Sequence, residues 1–214
     1  MSLSKRVGAL TIGQSPRPDL VAPLRQMLPD YELLQAGALD HLTVDDLPEV
    51  STDQYPLTTR LRTGTLVKIE EQFLAPYLQS ALHKLESQGV AATLLLCAGT
   101  FNALKGQRPL FKPFDIARTT LQASGIQQIG VICPIPEQER AITQRWSESG
   151  FQATVWATSV DDPEHIQTKA CSFESIILDY VGHSIEHVLR LQRTVSIPVI
   201  DLGYLAMSVM TSTL

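Results

Sequence analysis

The sequence predicts an α/β protein of two lobes with mainly parallel sheets flanked by helices, and three observations carry that expectation. Short apolar runs alternate with helical stretches of roughly 10 to 15 residues, the pattern of parallel strands joined by crossovers. The alternation restarts after a proline-spotted connection at 107–113. Two apolar runs, TLLLCAGTF at 93–101 and ESIILDYVGHS at 174–184, also end alike. One delivers Cys97 into a turn of small residues, and the other ends at Asp179-Tyr180 followed by Gly182. With 214 residues the chain has room for two lobes of about 100 residues each.

The elements follow in order. Arg6 to Ile12 reads as a first strand, ending at Gly13-Gln14-Ser15-Pro16, and Pro16 suits the first turn of a helix reaching about Leu28. Tyr31 to Ala36 is a second strand, and residues 40–55 are acidic and proline-punctuated, more loop or short helix than strand. Two short strands around Arg62-Thr63-Gly64 give a hairpin. A helix from about Glu70 to Gln88 presents Phe73, Tyr77, Leu78, Ala81, Leu82 and Leu85 on one apolar face, and Gly89 stops it. The Cys97 strand closes the first half. Beyond 113 come a helix near 114–124, a strand over 126–133, and a helix opened by Pro134 and Pro136. A strand over 151–157, a helix over 163–171 and a strand over 175–179 follow. The chain ends with a helix over 184–194, a strand over 197–201 and a last helix led in by Gly203.

Composition narrows the function classes. Hydrophobic content of 44% with 18% charge is that of a globular protein. Seventeen Lys and Arg against 22 acids give a net charge of −5 with no basic block, which disfavours nucleic acid and favours small molecules. No apolar run approaches the roughly 20 residues that span a bilayer, so no membrane partner is expected. The N-terminus does not read as a secretory signal. The three cysteines, Cys97, Cys133 and Cys171, lack metal-type spacing, and their odd number argues against a disulfide framework. His183 and His187 lie at helical i, i+4 spacing, but Ser184 stands where a zinc-protease helix has glutamate, so no metal is expected. No glycine-rich nucleotide motif occurs, and no cofactor is expected. The expectation is a reduced, cytoplasmic protein.

The segments LTIGQSPRPD (10–19), AGALD (36–40), LTTRLRTGT (57–65), LLLCAGTF (94–101), P-x-PEQ (134–138) and LDYVGHS (178–184) together resemble the AroM family over nearly the whole chain. That family resembles a branch of the aspartate/glutamate racemase superfamily. The resemblance implies two pseudo-symmetric lobes, 1–112 and 113–202, a ligand site in the interlobe cleft, a C-terminal helix over 203–214 packing back on the first lobe, and a homodimer. It also implies one cysteine per lobe serving opposite faces of a substrate carbon. Cys97 matches the first position, and Tyr180 stands where the second cysteine is expected.

This departure shapes the chemistry. A phenol near pKa 10 donates a proton well but is a poor base, and its gap of about 1.5 units from a thiol is a mismatch of about 2 kcal/mol. Racemisation needs comparable bases on both faces, so one-way proton transfer is expected instead, with Cys97 as base or nucleophile and Tyr180 as acid. A helix after Ala98-Gly99-Thr100 would lower the Cys97 pKa through its N–H groups, and Thr100 would be its N-cap or a hydroxyl beside the thiol. Gly13, Gln14 and Ser15 form a turn suited to gripping a carboxylate, with Arg17 and Arg60 as clamps, while Gly182 and His183 line the mouth. For each there is a plainer role: solvated arginines, a phenol that fills space, a buried inert thiol. Cys133 is read as packing and Cys171 as without a role. Two functions stand: a cofactor-independent isomerase or decarboxylase acting on a small carboxylate, or a non-catalytic ligand-binding or regulatory protein on the same scaffold.

Overall fold

The computed structural model describes residues 5–50 and 57–214. Residues 1–4 and the part of the expected 40–55 loop from 51 onward lie outside them. The chain divides into two units, Met1–Pro113 with Ala206–Leu214, and Phe114–Leu205.

In the first unit, β1 (Lys5–Thr11), β2 (Tyr31–Gly37), β5 (Thr93–Leu95) and β6 (Leu110–Phe111) form one sheet in the order β2-β1-β5-β6. Every pair is parallel, with Leu10 opposite both Ala36 and Leu95. β3 (Leu57–Arg60) and β4 (Leu66–Ile69) make a separate antiparallel hairpin closed by the Leu61–Thr65 turn. Helix α1 covers Pro18–Met27 and α2 covers Glu71–Ser87. Leu74, Leu78, Leu82 and Leu85 of α2 pack in one core with Leu10, Leu95 and Phe101, because their spacing of three and four keeps them on one helix face. Tyr77, expected on that face, is exposed and packs its ring on Phe73 at 5.2 Å.

The second unit repeats the strand order. β7 (Gln128–Cys133), β8 (Gln152–Ala157), β9 (Ser175–Leu178) and β10 (Val199–Asp201) run in the order β8-β7-β9-β10, again all parallel. Helices α3 (Pro113–Ala123), α4 (Glu139–Glu148), α5 (Pro163–Ala170) and α6 (Ile185–Thr194) intervene. Ile132, Ile166, Ile176, Leu178, Val188 and Leu191 form its core. Helix α7 (Leu202–Thr213) begins in this unit and ends in the first.

Three differences from the sequence reading have physical reasons. Pro18, not Pro16, opens α1, since Ser15 is held in a loop described below. Strand β6, two residues between Pro109 and Pro113, is too short to leave a periodic signal. No helix follows Cys97: the link from β5 to β6 is irregular, whereas α6 fills the corresponding link from β9 to β10. Thr100 is therefore no helix cap.

Candidate active site

In an open parallel sheet, ligands bind beyond the C-terminal strand ends where successive connections diverge to opposite sides. The shared strand order puts that point between β1 and β5 in the first unit, and between β7 and β9 in the second. The residues leaving those four strands are Gly13–Arg17 and Cys97–Thr100, then Cys133, which the sequence reading took as packing, and Tyr180–His183.

At the first switch point the Leu96 N–H donates to Leu10 O at 2.8 Å, so Cys97 leaves the sheet next to the Ile12–Gly13 exit. Cys97 is partly buried, and the Gly99 N–H points at its sulfur at 3.4 Å. That donor comes from a turn rather than a helix. The turn is fixed by the buried Phe101, which has a φ of +41°. A Cβ on Gly99 would meet the Phe101 ring at 2.6 Å, so only glycine fits there. Lys112 Nζ donates to Thr100 O at 3.2 Å and braces the far side of the turn.

The loop after β1 is a closed knot. Ser15 donates its N–H and its hydroxyl to the two oxygens of Asp40, at 2.7 and 2.8 Å. Arg62 donates from Nε to Ser15 O at 2.6 Å and from Nη2 to Asp40 Oδ1 at 3.0 Å. Gln14 is buried, donating to Leu39 O and Leu42 O while its Oε1 accepts the Arg62 N–H at 2.7 Å. Of the expected clamps, Arg17 pairs with Asp19, which holds the Asp19 carboxyl below its usual range, and Arg60 is exposed with no ion pair among the described residues. Asp40 and Arg62 were not singled out from sequence. Both lie in quoted motifs, AGALD and LTTRLRTGT, and only the fold brings them to Ser15.

At the second switch point, the Asp179 N–H donates to Ile132 O at 2.9 Å and sets Cys133 beside the β9 exit. Burial, then the charges of Glu139 and Asp179, push the Cys133 thiol up to about 11, so it is inert near neutrality. Asp179 turns inward, accepting from Arg145 and from Trp146 Nε1, and does not hold Tyr180. Tyr180 is 40% exposed, with its ring edge-on to His183 at 4.5 Å. Gly182 adopts a φ of +119°, a conformation few other residues reach, and turns the chain so that His183 comes back to the end of β10. There His183 Nδ1 meets Asp201 Oδ2 at 2.6 Å. His187 pairs with a different carboxylate, Asp161, at 2.7 Å. Cys133, Thr158, Ser159, Tyr180, His183 and His187 are among the residues lining a cavity of about 360 Å³. Among the described residues no group of three or more His, Cys, Asp or Glu is placed to hold a metal ion.

The family model described as AroM protein matches residues 7–213. The chain belongs to the AroM family. Its fold is similar to that of unliganded arylmalonate decarboxylase, at 13% identity and TM-score 0.68, covering 98% of this chain and 92% of that one. It is also similar to an aspartate racemase homologue from Pyrococcus horikoshii OT3, at 13% identity and TM-score 0.61 over 99% of both chains. The maleate isomerase from Pseudomonas putida S16 matches at 11% identity and TM-score 0.61, covering 98% of this chain and 92% of that one. At these identities the likeness establishes the racemase-type two-lobe α/β fold. Sequence comparison with curated proteins finds no match. No helix among the described residues is long and apolar enough to cross a membrane.

Proposed function

We propose that this AroM-family protein binds a small carboxylate and catalyses cofactor-independent proton transfer at the adjoining carbon, as an isomerase or a decarboxylase. Cys97 is the thiol that takes or returns the proton, and Tyr180 is the acid. The observation that carries the reading is the partly buried Cys97 at the β1–β5 switch point, with the Gly99 N–H aimed at its sulfur. Proton removal and loss of CO₂ both leave an enediolate, so one set of donors serves either reaction. Thr100 and the backbone N–H groups of the Cys97 turn are the donors this reading assigns to the carboxylate. Ser15 joins them only by giving up Asp40, and Arg60, exposed and without an ion pair among the described residues, is assigned to the anion.

The three kinds of fold neighbour suggest the substrates to test: arylmalonate, maleate, aspartate and glutamate. The assay is incubation in D2O, following by NMR carbon-bound deuterium in the amino acids, loss of CO₂ from the malonate and cis–trans isomerisation of maleate. Wild-type turnover of at least one acid, abolished in Cys97→Ala and reduced in Tyr180→Phe, is the expected result. Full activity in Cys97→Ala would sink the assignment. The engagement of Ser15 and Arg62 with Asp40 favours the second reading, a binding protein without catalysis. That reading predicts saturable binding of one of these acids with no deuterium exchange.

A further inference from the structure

The second unit holds a side-chain pair that this scheme leaves idle. His183 and Asp201 are buried, with 7% and 2% of their side-chain surfaces exposed, and are joined from Nδ1 to Oδ2 at 2.6 Å. Asp201 is itself fixed, because its Oδ1 accepts the Tyr204 N–H at 2.8 Å. The Tyr204 hydroxyl donates to His183 O at 3.3 Å and pins the same turn. Carboxylates only accept, so Nδ1 carries the proton of the neutral ring and Nε2 is left as the working nitrogen. The residue lines the 360 Å³ cavity together with Tyr180 and Cys133. Asp201 at the end of β10 and Tyr204 on α7 hold the residue, Tyr180 at the β9 exit packs on its ring, and the other titratable groups lining the same cavity are Cys133, Asp161 and His187.

We propose that His183, oriented by Asp201, is a second proton-transfer residue working through Nε2, so that the second unit contributes a base as well as a phenol. The inference rests on the proton-transfer reading above and alters its direction. A phenol gives a proton and hardly takes one, whereas an imidazole is both a donor and an acceptor of protons. In the forward step the Nε2 lone pair takes the hydrogen from carbon next to the carboxylate. The C–H bond breaks, an N–H bond forms, and the electron pair stays on the substrate as an enediolate beside an imidazolium. In the reverse step the N–H bond breaks, the C–H bond forms and the ring returns to neutral. Asp201 is a positioning residue: it selects the tautomer and stabilises the imidazolium. Two-way transfer, which Tyr180 alone would disfavour, becomes open to this chain.

Two readouts on the full chain test this. Side-chain ¹⁵N NMR needs no turnover. His183 is expected with its proton on Nδ1 and a bare Nε2 whose resonance moves when malonate or maleate is added, and Asp201→Asn is expected to lose the single tautomer. A proton on Nε2, or an Nε2 signal indifferent to every carboxylate probe, overturns the proposal whatever the activity. Deuterium exchange on arylmalonate, aspartate and glutamate is the second readout. His183→Gln should slow it by roughly 100-fold. Asp201→Asn should slow it less and displace its pH profile, and added imidazole should restore part of the rate to His183→Ala. A His183→Gln protein exchanging at the wild-type rate removes the pair and leaves Cys97 in place. A wild type that exchanges none of the acids removes the Cys97 scheme instead, and the NMR result then decides the pair.

Discussion

Individual side chains here act through what holds them. Asp40 gathers the Ser15 N–H and hydroxyl, the Gly37 N–H and the Arg62 guanidinium. Asp40→Ala is therefore expected to destabilise the chain by about 2–3 kcal/mol in urea unfolding, since buried donors lose a charged acceptor. The half-exposed Arg62 contributes little of that through its charge. Asp179 presents the harsher case: its side chain is wholly buried between Arg145 and Trp146. Arg145→Met should lose about 3–5 kcal/mol by stranding that carboxylate, while a double change of Arg145→Met with Asp179→Leu should recover most of the loss. Cys133, pushed up to about 11 by burial, should resist iodoacetamide at pH 8.5 while the exposed Cys171 reacts, which mass spectrometry reads directly. Because the folded thiol keeps its proton longer than the unfolded one, its share of stability is complete below the unfolded value of 9.0 and fades as pH rises through about 11.

Elements were more legible in the sequence than the contacts between them. The strands and helices of the second unit announce themselves because apolar runs alternate with amphipathic stretches of ordinary length. In the first unit, a two-residue β6 and the irregular Cys97 turn carry no periodicity to detect, and a helix was expected where a turn stands. The tips of both sheets were foreseen through Cys97 and Tyr180. Their partners were not, because Asp40, Arg62 and Asp201 lie 18 to 47 residues from Ser15 or His183, beyond any local pattern. One such staple has a clear signature. Glu174, just before β9, accepts the Gln128 and Gln127 N–H groups at 2.7 Å each, and those bonds hold its carboxyl below the usual 4.5. That support is present above the unfolded value and disappears as pH falls through the lower folded one. The amide proton shifts of both residues should accordingly titrate below 4.5, and Glu174→Gln should abolish the titration.

Across the whole molecule, one strand order appears twice, and the two copies differ in what they hang on it. The second copy places a helix after its β9 tip, whereas the first leaves a bare turn there and inserts the β3–β4 hairpin earlier. Helix α7 ends among the first unit's residues, where Ala206, Met207 and Met210 are buried. Met210→Ala should lower stability by about 2–5 kcal/mol, measured by denaturant midpoint at unchanged slope.

The hairpin has a consequence for selectivity. By bringing Arg62 onto the Ser15 carbonyl and the Asp40 carboxylate, it keeps the β1 tip already saturated. On the proposed function, an incoming acid at this tip is a rival to Asp40, and has to offer at least as good an acceptor to displace it. On that proposal, ligands are screened by competition with one of the protein's own side chains.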